Sequence, residues 1–175
     1  MGKRSNFERR ERDFYPTPVE SIVPLLPHLP DVLTFWEPCA GDGALVDGLF
    51  SLRDNVVCDG SDIEPRAEWI AKADALVTQI PPYLGMIITN PPWSRDILHP
   101  MIEHFSAMRP TWLLFDADWM HTKQSAPFMP LLRKVVSVGR VKWIPDSKFT
   151  GKDNACWYLF DANSEGQTEF YGRSA

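Results

Sequence analysis

Short apolar runs, each stopped by a turn or an acidic residue, alternate along this chain with segments whose apolar residues recur at helical spacing. A strand covered on both faces reads as a nearly unbroken apolar run, because both of its sides meet other elements. Residues 32–38 (VLTFWEP), 85–90 (GMIITN) and 111–118 (TWLLFDAD) are such runs, 55–62 (NVVCDGSD) reads as a strand ending in acid, and 75–80 (ALVTQI) reads as a short strand or a loop. Between them, Ala44, Leu45, Val46, Leu49, Phe50 and Leu52 predict a helix, and 65–73 (PRAEWIAKA) predicts another with Pro65 in its first turn. Ile97, Met101, Ile102, Phe105 and Met108 predict a third, in which Pro100 must sit in the first turn or make a kink. Residues 128–136 (FMPLLRKVV) read as a further helix in spite of Pro130, and 138–145 and 155–162 as two late strands paired antiparallel. Upstream, Val19, Ile22, Val23, Leu25 and Leu26 form a short helix starting near Pro18 and limited by Pro24 and Pro27. This alternation argues an α/β fold built on a mostly parallel sheet, with the late pair as an antiparallel addition.

A chain of 175 residues suits a single domain over 1–175 and can bury a core without metal or disulfide staples. Its 44% hydrophobic and 23% charged residues are ordinary for a globular protein. No apolar run approaches the length of a membrane span and nothing at the start reads as a signal peptide, so the expected location is the cytoplasm, with no membrane contact. Cys39, Cys58 and Cys156 are scattered without CxxC spacing, and His28, His99, His104 and His121 are dispersed, so no metal is expected. A net charge of −5 argues against an indiscriminate grip on nucleic acid. The charge is uneven, however. Residues 1–14 carry Lys3, Arg4, Arg9, Arg10 and Arg12, either as a basic arm along a phosphate backbone or as a solvated terminus offset by Glu8, Glu11 and Asp13. Lys142, Lys148 and Lys152 likewise either meet phosphates or belong to a solvated loop.

The chemistry gathers at the ends of the runs. In 37–45 (EPCAGDGAL), Gly41 and Gly43 let a strand-to-helix turn bend sharply and approach a ligand, and Glu37 can receive an ammonium group there. Asp62 follows at a separation that suits a ribose diol; it would equally cap a helix starting at Pro65. Asp74 either accepts a hydrogen bond from the amino group of a bound adenine or faces solvent in a loop. The strongest signal is 89–93 (TNPPW). Its two prolines end the strand with φ fixed at both positions. They leave the Asn90 side chain and the Pro91 carbonyl as a rigid pair of acceptors. A ring-conjugated amino group is a poor nucleophile, and two acceptors, one per N–H, hold it and favour the charge it gains on attack. Trp93 offers a flat surface for a base, worth about 1–3 kcal/mol. The structural alternative is a loop stopper with a packing Trp. Asp116, in DADW after the fifth run, either lines the same pocket or caps a strand end.

EPCAGDGAL, SDIEP, ADAL and TNPPW, in this order and spacing, resemble the class I S-adenosylmethionine-dependent amino-methyltransferases, above all the small adenine-directed DNA methyltransferases of phages and prophages. DFYPTP (13–18) looks like the family's N-terminal cofactor motif, and FTGKDNACWYLF (149–160) like the late motif that borders its target-base pocket. The resemblance implies a Rossmann-like fold: a mostly parallel seven-stranded sheet with one antiparallel strand and helices on both faces. It implies that Tyr15, Thr17, Glu37, Pro38, Cys39, Ala40, Gly41 and Gly43 hold the methionine end of S-adenosylmethionine. Asp62 with Ile63 would take the ribose, and Asp74 with Ala75 the adenine. Asn90, Pro91, Pro92 and Trp93 would form the catalytic tetrad, Asn90 also bordering the cofactor, with Trp93, Asp116, Lys148 and Lys152 toward the substrate. The implied partner is nucleic acid, DNA before RNA. The tetrad is not specific for DNA, since RNA adenine, RNA guanine and protein glutamine methyltransferases carry similar ones. A non-catalytic module that binds cofactor or nucleic acid is the alternative from another class. The departure is size: 175 residues leave no room for a recognition domain, so specificity is short, relaxed or supplied by a protein partner.

Overall fold

The computed structural model describes residues 15–144, 151 and 153–173. The strands are β1 Leu33–Glu37, β2 Val56–Asp62, β3 Ala71–Lys72, β4 Met86–Thr89, β5 Thr111–Asp116, β6 Leu132–Arg140, β7 Asn154–Phe160 and β8 Glu169–Tyr171. They form one eight-stranded sheet in the order β3-β2-β1-β4-β5-β7-β6-β8. Only β7 runs against its neighbours, β5 and β6; every other pair is parallel. The α-helices are α1 Val19–Ile22, α2 Ala44–Leu52 and α3 Arg95–Met108, joined by 3-10 segments at Val23–His28, Ala117–His121 and Lys123–Leu131.

Alternation along the strands divides the core between the two faces. Phe35, Ile88, Trp112, Leu114, Val136 and Trp157 pack with Ile22 and Leu25 and with Leu45, Val46 and Leu49 of α2. Trp36, Ile87, Leu113, Phe115, Val135 and Tyr158 pack on the other face with Leu98, Met101, Ile102 and Phe105 of α3 and with Trp119 and Phe128. This is the mostly parallel sheet that the alternation predicts, with helices on both faces as the resemblance implies, though with eight strands and not seven.

Several segments bear on the sequence reading. Residues 65–73 form no helix but turns and the two-residue β3. The Ala73 N–H, which a helix would spend on the Trp69 carbonyl, goes to the Asp62 carbonyl, and the Arg66 N–H goes to the Gly41 carbonyl. Of the two readings of 75–80, strand or loop, the structure has the loop: the Asp74 carbonyl accepts from the Val77 and Thr78 N–H groups and closes a turn. Residues 128–136 split: Pro127 and Pro130 hold a 3-10 segment, and the β-branched stretch from Leu132 onward pairs with the open edge of β7, so the strand read at 138–145 instead begins at Leu132 and ends at Arg140. Finally, β8 adds an eighth strand parallel to β6; its residues are all exposed, so no apolar run announced it.

One polar pair on the α3 face sets a pH response. The Trp119 indole N–H donates to His99 Nε2 at 3.0 Å, which requires a neutral imidazole. Burial first, then the Arg95 charge, lowers the His99 pKa, with Glu103 opposing them. A histidine that is harder to protonate when folded takes up protons on unfolding. Its contribution is therefore complete above pH 6.5, the ordinary histidine value, and is lost as pH falls below it. The apparent Tm of the parent should drop between pH 7 and pH 5 more than that of His99→Gln; parallel curves would show that His99 plays no part.

Candidate cofactor and acceptor site

Because β1, β2, β4 and β5 are parallel, their C-terminal ends share one edge of the sheet. That edge carries Glu37 at the end of β1, Asp62 at the end of β2, Asn90 just after β4 and Asp116 at the end of β5. Open α/β sheets bind ligands in the crevice outside these ends, where strand order reverses. Here β1 is flanked by β2 on one side and β4 on the other, so the reversal falls between Glu37 and Asn90.

Residues 38–43 leave β1 and turn into α2. Gly41 and Gly43 hold φ of 57° and 90°, conformations that a side chain disfavours, which is why glycine stands at both. The loop is tied to the end of β2: the Ala40 N–H donates to the Ser61 carbonyl at 2.9 Å and the Gly41 N–H to Asp62 Oδ2 at 2.8 Å. Asp62 Oδ1 accepts the Glu64 N–H at 2.8 Å. Asp62 therefore clamps the glycine loop and caps the turn behind it, though no helix follows. Ile63 beside it is exposed.

Glu37 is 2% exposed, and its Oε2 has no hydrogen-bond partner. Burial, reinforced by the negative charges of Asp62, Asp42 and Asp47, pushes its carboxyl well above the usual carboxylate range. A raised acid pKa means the folded state holds the proton more tightly. The stability Glu37 contributes is present at acid pH and declines as pH rises from the ordinary carboxylate value toward the folded one. Glu37→Gln, which keeps the shape and needs no proton, is therefore expected to raise the Tm of the ligand-free protein at pH 8 and leave it nearly unchanged at pH 4.5. An equal shift at both values would refute the account.

Asn90 sits in the centre. Its amide donates to Thr17 Oγ1 at 3.2 Å across the chain, which brings the segment 15–18 against the end of β4. Thr17 is buried and Tyr15 half-buried beside it. Asn90 Oδ1 meets the Trp93 indole N–H at 3.4 Å, but that N–H also reaches the Leu114 carbonyl at the shorter 3.2 Å. The Trp93 ring is half-buried, packs against both core clusters and meets Trp143 edge-on at 5.6 Å. Pro91 is buried and Pro92 half-buried.

Asp74 and Asp116 both act as local caps. Asp74 Oδ1 accepts the Leu76 N–H at 2.9 Å and caps an exposed turn, with Ala75 buried under it. Asp116 Oδ1 accepts the Asp118 N–H at 3.0 Å, a strand-end cap on the same edge as Asn90. Pro38 and Ala40 lie in the glycine loop, both buried. Burial pushes the Cys39 thiol far up, and lifts those of Cys58 and Cys156 to about 11, which leaves all three protonated at neutral pH. Lys148, Lys152 and the arm 1–14 lie outside the described residues. Among the described residues no three His, Cys, Asp or Glu side chains gather as metal ligands, and no helix is long and apolar enough to cross a membrane.

Trp69 and Gly60 lie beside the glycine loop without belonging to any of the motifs. Trp69 falls in the segment whose pattern predicts a helix, yet its indole lies against Gly43 and Gly60: a Cβ built on either would stand 2.7 Å and 2.6 Å from the ring. An isolated glycine inside a strand run marks a close approach, and Gly60 carries that signal.

No family model matches the sequence, and no curated protein matches it as a relative. Solved structures do match. The 23S rRNA methyltransferase ErmE superposes with a TM-score of 0.53 at 16% identity, over 83% of this chain and 68% of that one. A candidate class I S-adenosylmethionine-dependent methyltransferase from Listeria monocytogenes gives 0.57 at 10% identity, over 90% of this chain and 64% of that one. A chain of a type I R-M system gives 0.52 at 13% identity over 96% of this chain, which spans 46% of the other's length. At such identities the likeness shows the fold, which is that of the class I methyltransferases.

Proposed function

We propose that this chain transfers a methyl group from S-adenosylmethionine to the exocyclic amino group of adenine in nucleic acid, DNA first. The observation that carries the reading is the meeting of Asn90 and Glu37 on neighbouring strand ends. One offers acceptors to an amino group, and the other is a buried carboxyl whose Oε2 lacks a donor. An ammonium group supplies the donor that Glu37 lacks, so the residues present fit the amino-acid end of the cofactor. In this reading Asp62, which accepts the Gly41 N–H, takes the ribose diol, and Asp74 with Ala75 takes the adenine ring. When bound, S-adenosylmethionine supplies a methyl carbon already activated by its sulfonium.

The protein's own part is positioning. Asn90 is steadied by Thr17, and the two prolines after it fix the direction of the Pro91 carbonyl. Asn90 Oδ1 and that carbonyl each accept one N–H of the target, aligning its nitrogen lone pair for in-line attack. As the nitrogen gains positive charge, the same two oxygens stabilise it; the extra proton leaves to water after transfer. A base in a duplex must leave its stack to reach Asn90. The likeness to a 23S rRNA methyltransferase favours RNA as the second reading.

The test is methyl transfer from labelled S-adenosylmethionine to duplex DNA, single-stranded DNA and RNA, each digested to nucleosides and analysed by mass. Methylated deoxyadenosine in the DNA samples is the expected result. Methylated adenosine in RNA alone would move the substrate, and label in no nucleic acid would overturn the proposal.

A further inference from the structure

Trp69 stands where the sequence predicts a helix and the structure has none. Gly60 lies on the face of β2 that Cys58, two residues earlier, turns toward the cluster beneath α2. A helix over 65–73 would cover this face; one indole covers it instead. The ring meets both places where the backbone lacks a side chain: Cζ2 lies 2.7 Å from a Cβ built on Gly43, and Cζ3 lies 2.6 Å from one built on Gly60, with the Ala40 Cβ a further 3.4 Å from the latter position. Real Cβ atoms do not approach so closely, so only glycine at both positions admits the ring.

The end of β2 and the segment that carries Trp69 together hold the glycine loop at several points. The Ser61 carbonyl accepts the Ala40 N–H, Asp62 Oδ2 accepts the Gly41 N–H, and the Arg66 N–H donates to the Gly41 carbonyl at 2.8 Å. Those hydrogen bonds hold Ala40 and Gly41, while Trp69 fills the space between the loop's far end at Gly43 and β2 at Gly60. Trp69 is nonetheless 49% exposed, so its ring is not a core pillar like Trp112 or Trp157. It also borders a cavity of about 310 Å³ whose lining includes Trp36, Ser61 and Ala73, so the ring has open space on one side and the loop on the other.

We propose that Trp69 is a positioning residue for the cofactor: a wedge between Gly43 and Gly60 that holds the glycine loop in its ligand-ready shape. The inference rests on the cofactor reading above and adds to it a residue outside the motifs. A wedge that holds a loop acts on ligand affinity, since an unbraced loop must be ordered at the moment of binding.

The experiment is calorimetric titration of the full chain with S-adenosylhomocysteine, together with melting curves. Trp69→Ala should weaken binding by about 10- to 100-fold, the scale on which metal sites lose affinity when a group supporting a ligating side chain is removed. The Tm should change little, because half of the ring is already in water. Trp69→Phe should retain part of the affinity. Gly60→Ala, which pushes the ring aside, should weaken binding as well, yet add no further loss in the Trp69→Ala background. In turnover assays the rise in KM for S-adenosylmethionine should exceed the change in kcat. Binding by Trp69→Ala as tight as that of the parent would overturn the proposal, and so would additive losses in the double variant. If Trp69→Ala does not fold, Trp69→Phe and Gly60→Ala carry the same test. A parent protein that binds no S-adenosylhomocysteine would refute the cofactor reading itself, and this inference with it.

Discussion

Asn90→Ala should lower methyl transfer by about 10²–10³-fold, the scale on which enzymes lose rate when one preorganised polar group facing developing charge is removed. The side chain occupies the end of β4 and is held by the Thr17 hydroxyl at 3.2 Å, so its position does not depend on substrate. Its contribution is realised when the target nitrogen becomes cationic, and the loss should appear in kcat more than in KM. Affinity for S-adenosylhomocysteine should stay close to that of the parent, because Glu37 and the glycine loop are untouched. Thr17→Val is the companion variant: it leaves Asn90 in place without its anchor, and a smaller fall in kcat is expected. An Asn90→Ala protein with full turnover would remove Asn90 from the chemistry, whatever the cofactor affinity.

Trp157→Ala is the second, and its effect is on folding. Trp157 is fully buried in β7, between β5 and β6, on the face that carries α1 and α2. Its indole N–H donates to the Ser21 carbonyl at 2.8 Å, across 136 residues. Truncation opens a cavity and strands a buried carbonyl, which together should destabilise the protein by about 3–5 kcal/mol. For a chain of this size that corresponds to a fall in Tm of roughly 6–20 °C. The consequence reaches the site, since α1 lies directly behind Thr17, and Thr17 holds Asn90. Trp157→Phe, which loses the hydrogen bond but fills most of the space, should fall between the two. A drop of only a degree or two for Trp157→Ala would mean that α1 docks on the sheet by other contacts.

The division of the core shows how far the pattern of residues reached. Runs such as 111–116 declare themselves as strands because Trp112 and Leu114 serve one face and Leu113 and Phe115 the other, so no polar position interrupts them. The same logic failed where an element has no covered face. β8 is exposed along its length, and β3 consists of two exposed residues, so neither has an apolar signature to read. At 128–136 the apolar content was legible but its period was not: the prolines end the helical turn, and the edge of β7 recruits Leu132–Arg140 into the sheet.

The candidate site divides in the same way. Glu37, Asp62, Asn90 and Asp116 each end an apolar run in the sequence, and parallel strands must bring such ends to one edge, so their gathering followed from local pattern and topology. What each carboxylate and ring does there did not follow, because that depends on which partners arrive from distant parts of the chain. Only the folded chain pairs Asp62 with the Gly41 N–H, leaves Glu37 Oε2 without a donor, turns the Trp93 N–H toward Leu114, and lays Trp69 between two glycines. The sequence by itself determined the alternation of elements, the two-faced core and the residues delivered to the crevice, since these rest on periodicity and on backbone limits at proline and glycine. The tertiary structure alone decided burial, hydrogen-bond partners and the fate of the segment after β2, because those depend on contacts between residues far apart in the chain.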